Sequence, residues 1–569
     1  MHKTPNMPEQ KPEPFRIGLC LAGAISAGAY TAGVMDYLLE ALEEWERRKK
    51  EDPDNTPSHQ VQIPVIGGAS AGGMTGILTA AALHGPIPPI RFTQSFDVMA
   101  KRPGNKLYHT WVDLVADDMF PILLETTDIK EHNTRSLLNS EFIDRIAEET
   151  VKVDNPWTKR PYICDRLKLF TTLTNLEGLS FNIAFNSTSS STADYHIHAH
   201  NDYACFELNI GEAEYGGHGW IPLKFPECLN TGLARDAAMA TGAFPLGLRA
   251  RRVERKTLYM NDLGWLKRIT RLNPVMRDPY RTINVDGGMI DNEPFERVRD
   301  VLNEITKEGK LLEDGRTLDH DSYARTRSSV LMIDPFPSKL EEFEDGDLIG
   351  KVIGNTLGAM MSQLRTKPDI LADAMHSDKA GQYIIAPSRK LKLPGKEEME
   401  LFGADAIACG TLGGFGGFLH KEFRVHDFLL GRANCEKFLR DQFTMRESAK
   451  NPIIEAGYAR VIDRSKFRSE TDKENGLQII PIFPDRGNHL PMPVFMHGRN
   501  WPTRKAAEID RLRKPIKKRV EALVDDQVNT NWFQGVLLWI GQKILISGKL
   551  ADAVLNNIRK SLRKSHLLD

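Results

Sequence analysis

Charge of one sign is in short supply in this 569-residue chain: 75 Lys+Arg face 76 Asp+Glu, a formal net charge of -1. That balance argues against nucleic acid as the main partner. Cysteine is scarce as well. Cys20, Cys164, Cys205, Cys228, Cys409 and Cys435 fall without CxxC spacing. They read as reduced thiols rather than as a disulfide framework or a zinc module. Long charge-free apolar spans are missing, so no transmembrane helix is expected. The stretch from Ile17 to Met35 is apolar and follows Lys3, Lys11 and Arg16, but Ala and Gly dominate it and it runs into an amphipathic helix. It reads as strand, loop and helix of a cytoplasmic protein, not as a signal sequence. No internal repeat is found.

What is present is globular, with 41% hydrophobic and 27% charged residues, and too long for one ordinary domain. Residues 1–13 are polar and Pro-rich and are expected to be a disordered leader. A strand is expected at 15–21, followed by the small-residue loop 22–28. A helix then follows, carrying Val34, Leu38, Leu42 and Trp45 on one face and Glu40, Glu43, Glu44 and Arg47 on another. A second strand covers 61–66. Residues 167–208 are strand-rich, 282–285 and 329–333 read as strands flanking a helix, and the chain from about 340 is mainly helical. Strand–helix alternation of this kind predicts an α/β fold with a largely parallel sheet.

Ser70 lies in Gly67-Gly68-Ala69-Ser70-Ala71-Gly72, between the strand at 61–66 and the small apolar run 74–83. A strand that delivers a serine to a sharp turn, with Gly68 and Gly72 carrying no Cβ to obstruct it, leaves the hydroxyl at a helix N-terminus. Chance alone supplies about 0.2 such GxSxG matches in a chain of this composition, so the flanking strand and helix carry the reading. Asp286 ends another apolar strand and precedes Gly287 and Gly288, where α/β folds place functional groups. A structural Asp-Gly turn would look the same. Ala238-Met239-Ala240-Thr241-Gly242-Ala243-Phe244-Pro245, taken alone, reads as packing.

In order, these segments resemble the patatin-like phospholipases. The likeness spans about 15–295: an oxyanion loop after the first strand, the elbow at Gly68–Gly72, an Ala-rich segment ending near Pro245, and Asp286-Gly287-Gly288 followed by Asn292 and Pro294. The resemblance implies a three-layer α/β/α fold with a central mostly parallel sheet over 14–340, and a helical extension over 341–569. It implies a serine acyl hydrolase acting on lipid esters, with Ser70 as nucleophile and Asp286 as base in a dyad that needs no metal or other cofactor. Backbone N–H groups of Gly23, Ala24, Ile25 and Ala71 would stabilise the oxyanion. The family loop reads Gly-Gly-Gly-x-Arg-Gly. Here Gly23, Ala24 and Ile25 fall on the glycine triplet and Ala27 on the arginine, with Arg249, Arg251 and Arg252 as other sources of positive charge. A non-catalytic lipid-binding or scaffold protein of the same fold stays open, as does a Ser–His–Asp hydrolase using His426.

His196, His198 and His200 alternate and would share a strand face, but no second ligand cluster accompanies them, so a polar strand face is expected rather than a metal site. Near the C-terminus Trp532, Phe533, Val536, Leu537, Trp539, Ile540, Ile544 and Leu545 precede Lys549, Arg559, Lys560, Arg563 and Lys564. Aromatic anchors beside a basic tail suit peripheral contact with an anionic membrane. A helix docked on its own domain or on another subunit is the favoured alternative, and an oligomer stays open. Arg511 to Arg519 reads as a solvated helix face.

Overall fold

The computed structural model describes residues 13–92, 96–130, 133–185, 193–245, 247–264, 277–307, 323–337, 382–392, 397–469, 471, 476–483, 490–495, 499–527 and 547–569. The leader up to residue 12, the side chain of His196 and the aromatic stretch 532–545 lie outside these residues.

The chain begins with β1 (Phe15–Leu21), α1 (Gly28–Glu51) and β2 (Val61–Gly68), then α2 (Ala71–Ala82). Two long strands follow, β3 (Ile163–Phe185) and β4 (Ala193–Leu208), then β5 (Ile221–Leu223) and α3 (Thr231–Thr241). The last part of the sheet is β6 (Arg251–Arg255), β7 (Tyr280–Asp286), α4 (Phe295–Thr306), β8 (Ser328–Ile333) and β9 (Gln382–Ile385). The strands form one nine-stranded sheet in the order β5-β4-β3-β2-β1-β8-β9, with β7 beside β3 and β6 beside β7. β1 lies parallel to β2 and β8, β2 to β3, β4 to β5, and β8 to β9, so the sheet is mostly parallel.

Alternation along the strands divides the core. Leu19, Leu21, Ile63, Ile66 and Leu169 pack with α1 and α2 on one face. Cys20, Val65 and Phe170 pack with Val298, Val301 and Leu302 of α4 on the other. Period-2 side chains buried on both faces are what a covered parallel sheet requires. The result is the three-layer α/β/α architecture.

The chain beyond 340 is built into this unit. β9 extends the sheet, and α5 (Lys421–Asp441) packs against α1. The two helices meet at glycines. A Cβ on Gly33 would lie 1.9 Å from the Phe428 carbonyl oxygen, and one on Gly431 would lie 2.2 Å from that of Tyr30. α5 explains why α1 departs from its expected pattern. Glu40 and Glu44, placed on the face away from the apolar one, are nonetheless only 9% and 7% exposed. Glu40 is covered by α5, where Arg432 binds both it and Asp36. A one-faced amphipathic reading fails for a helix sandwiched between a sheet and a second helix.

Arg519 is a second correction. It was expected in solvent, but it is 2% exposed and donates to Asp128 and to the carbonyls of Glu125, Ser136 and Leu137. The C-terminal helix Ser547–Lys564 docks on its own chain through Ala551, Leu555, Ile558 and Leu562, with Arg559 paired to Asp510. Among the described residues no helix is long and apolar enough to cross a membrane.

Gly33→Ala should destabilise the protein by about 1–3 kcal/mol, because overpacking at the α1–α5 crossing outweighs alanine's helix propensity. Gly232→Ala, at a helical position with nothing within 4 Å, should be neutral or stabilising by up to about 1 kcal/mol. Denaturant midpoints of the two variants check both signs.

Candidate active site

β3 brings the site together. β2 runs along one edge of β3 and ends with Gly68 opposite Thr171. β7 runs antiparallel along β3 and ends with Asp286 opposite Leu173. β4 occupies the other side of β3 at those same residues, so β2 and β7 share an edge and meet end to end. Two residues of strand separate their ends, roughly 7 Å. Ser70 just past β2 and Asp286 at the end of β7 are therefore delivered to one point.

Ser70 has φ +49° and ψ -126°, outside the helical and extended wells. A non-glycine residue held there costs on the order of 1–3 kcal/mol and persists only when its surroundings over-determine it. Two features hold it. Its N–H donates to Thr241 Oγ1 of α3 at 2.8 Å. α2 also starts immediately after it against β1, so closely that a Cβ on Gly72 would lie 2.1 Å from the Leu21 carbonyl oxygen. The glycines serve by having no side chain. Neither Gly68 nor Gly72 has positive φ, and the strain sits on the serine.

Ser70 Oγ donates to Asp286 Oδ2 at 2.7 Å, with both residues 5% exposed. Asp286 Oδ1 accepts the Gly288 N–H at 2.8 Å, and the Asp286 N–H donates to the Ala243 carbonyl at 2.9 Å. Gly287 lies against β3, where a Cβ would meet the Thr172 carbonyl oxygen at 2.2 Å. The carboxylate is thus fixed by the turn that follows it, and the Asp286 backbone by the end of the small-residue helix. That segment, read from sequence as packing, supplies Thr241 to the serine and Ala243 to the aspartate.

Asn292 joins the turn after β7 to the loop after β1. Its carbonyl accepts the Gly23 N–H at 3.2 Å, and its Oδ1 occupies the space that side chains at Gly23 and Gly288 would need. Gly23, expected among the oxyanion donors, therefore directs its N–H to Asn292. The N–H groups of Ala24, Ile25 and Ala71 donate to no acceptor among the described residues. Ala71 is the first residue of α2, whose N-terminal end favours negative charge. Ile25 has φ +47°, a genuine outlier for a β-branched residue.

Other expected groups are occupied elsewhere. Arg249 and Arg251 both bind Asp144. His426 is buried against Trp501, its Nδ1 lies 2.7 Å from Asp427 Oδ1, and burial holds it below the usual histidine range. Ser70 meets Asp286 directly, with no imidazole between them. His198 contacts the Ser180 hydroxyl and His200 the Asn175 carbonyl, while Asp202 binds Arg255. The buried Cys20 thiol is pushed well up, first by burial and then by Asp291, Glu293 and Asp334, so it is no competing nucleophile. A buried hydroxyl bonded to a fixed carboxylate at a helix N-terminus, where the Ala71 N–H has no acceptor among the described residues, can give up its proton and attack an electrophilic carbonyl.

Residues 19–299 match the family model described as patatin-like phospholipase. The chain is also 29% identical, over 531 aligned residues, to an uncharacterized protein, y4iI, of Sinorhizobium fredii. That alignment takes in 84% of this chain and 72% of the relative, so the likeness reaches past the patatin-matched residues.

Thr241→Val keeps the shape of the side chain but leaves the buried Ser70 N–H without an acceptor. It should cost about 1–3 kcal/mol of stability, read from the denaturant midpoint. An unchanged midpoint would contradict the role given to Thr241 in holding the elbow.

Proposed function

We propose that this chain, a member of the patatin-like phospholipases through residues 19–299, hydrolyses acyl esters of lipids with Ser70 as nucleophile and Asp286 as its base. The observation that carries the reading is the 2.7 Å hydrogen bond from Ser70 Oγ to Asp286 Oδ2. Asp286 takes the hydroxyl proton as Oγ bonds to the ester carbonyl carbon. The N–H groups of Ala71, Ala24 and Ile25 receive the negative charge that develops on the carbonyl oxygen. As the intermediate collapses, the carbon–oxygen bond to the alcohol breaks and the alcohol leaves with the proton from Asp286. An acyl group remains on Ser70. Water then loses a proton to Asp286 while attacking that acyl group, and Ser70 departs reprotonated with release of the fatty acid. The serine proton leaves on the alcohol and one from water replaces it, so Ser70 and Asp286 end in their starting protonation states, and no cofactor enters.

Burial of both residues supports the dyad, because a hydrogen bond shielded from water is electrostatically stronger than one exposed to it. The Gly288 N–H keeps Oδ1 occupied, so Oδ2 is the oxygen presented to the serine.

Ser70→Ala and Asp286→Asn should each lower kcat/KM for p-nitrophenyl butyrate by at least about a thousandfold while leaving the thermal midpoint near wild type. Near-wild-type turnover by either folded variant would overturn the dyad.

A further inference from the structure

The strained residue in the loop after β1 is held from outside the residues that match the patatin family. Ile25–Ala27 form a single 3-10 turn, and the buried Ser26 hydroxyl donates to the Gly414 carbonyl at 2.5 Å and accepts the Gly417 N–H at 2.9 Å. Gly414 has φ +97° and faces Ile25 so closely that a Cβ on it would lie 3.3 Å from the Ile25 Cβ and Cδ1. The 408–418 segment is itself anchored elsewhere in the chain. The Asp427 carboxylate accepts the N–H groups of Ala408 and Cys409, each at 2.8 Å. Arg424 donates to the Gly417 carbonyl at 2.6 Å. Ser561, on the C-terminal helix, meets Thr411 Oγ1 at 2.7 Å and accepts the Leu412 N–H at 3.0 Å.

A glycine at position 25 would take positive φ with no help, but an isoleucine does not. We infer that Ser26 is a positioning residue for the acyl-transfer site: by tying the turn to Gly414 and Gly417, it holds Ile25 left-handed. That conformation keeps the Ala24 and Ile25 N–H groups out of hydrogen bonds to the described residues and available to an oxyanion. The Gly-rich 408–418 segment thus does for this loop what glycines at 24 and 25 would otherwise do, and the working site includes chain well beyond residue 299. This inference rests on the Ser70–Asp286 reading for its catalytic consequence, though not for the clamp itself.

The full-length Ser26→Ala variant tests it. Turnover of p-nitrophenyl butyrate should fall at least about tenfold in kcat with KM changed less than about twofold, the pattern of an interaction made only in the transition state. Adding Ile25→Gly should recover most of that loss, since glycine needs no clamp. Hydrogen exchange of amides 24–28 should quicken at least about tenfold in folded Ser26→Ala. Unchanged exchange and kcat in that variant, or a loss that Ile25→Gly does not recover, would overturn the proposal. Should Ser26→Ala fail to fold, Ser561→Ala loosens the segment one step further out. It should reproduce the faster exchange at 24–28, and unchanged exchange there would equally overturn the clamp. A wild type without Ser70-dependent turnover would sink the dyad alone, and the exchange measurement would still decide the clamp.

Discussion

β2 and β7 approach each other from opposite directions along one edge of β3, and the site depends on that meeting. Hydrogen-bonded register fixes where each strand stops: Gly68 at Thr171 and Asp286 at Leu173. A shift of one residue in either ladder would turn its last side chains to the other face of the sheet. The bond from Ser70 to Asp286, between residues 216 positions apart in sequence, is therefore a consequence of strand pairing. The local turns then refine it. Thr241 holds the serine N–H, and the Gly288 N–H holds the other carboxylate oxygen.

Around this point lie two strained residues and the contacts that offset their strain. Ser70 and Ile25 both have positive φ. The first is held by α3 and by the contact of α2 with β1, the second by the 408–418 segment. α5 supports both sides of the loop. Arg432 reaches back to Asp36 and Glu40 of α1, and Arg424 donates to the Gly417, Val112, Val115 and Ala116 carbonyls. Burial pushes the Arg424 guanidinium down to about 10, so it stays charged at neutral pH with carbonyl dipoles as its partners. Removing one member of a buried ionic cluster such as Arg432–Asp36–Glu40 typically costs about 3–5 kcal/mol, because the other charges lose their compensation.

The turns that carry Ser70 and Asp286 were legible in sequence because a tight turn is local chemistry: small residues crowd where backbone must approach backbone, whatever the rest of the chain does. The strands β1, β2 and β8 were legible for a similar reason, since burial on both faces leaves short apolar runs. The remainder depends on distant contacts. Thr241 looked like part of a packing helix until α3 was seen to end beside Ser70. Ser26 is an ordinary small residue until its partners, some 390 positions later, are known. Glu40 was placed on a polar helix face and Arg519 in solvent because periodicity reports polarity, not whether a second element will cover it.

Labelling the full-length protein with a fluorophosphonate, followed by peptide mass mapping, tests the central claim most directly. It reads the reactivity and the position of the nucleophile together. A Ser70–Asp286 dyad predicts one adduct, on the peptide containing Ser70, formed much more slowly in Asp286→Asn. An unlabelled Ser70 in folded wild type, an adduct on another residue, or equal labelling rates with and without the carboxylate would contradict it.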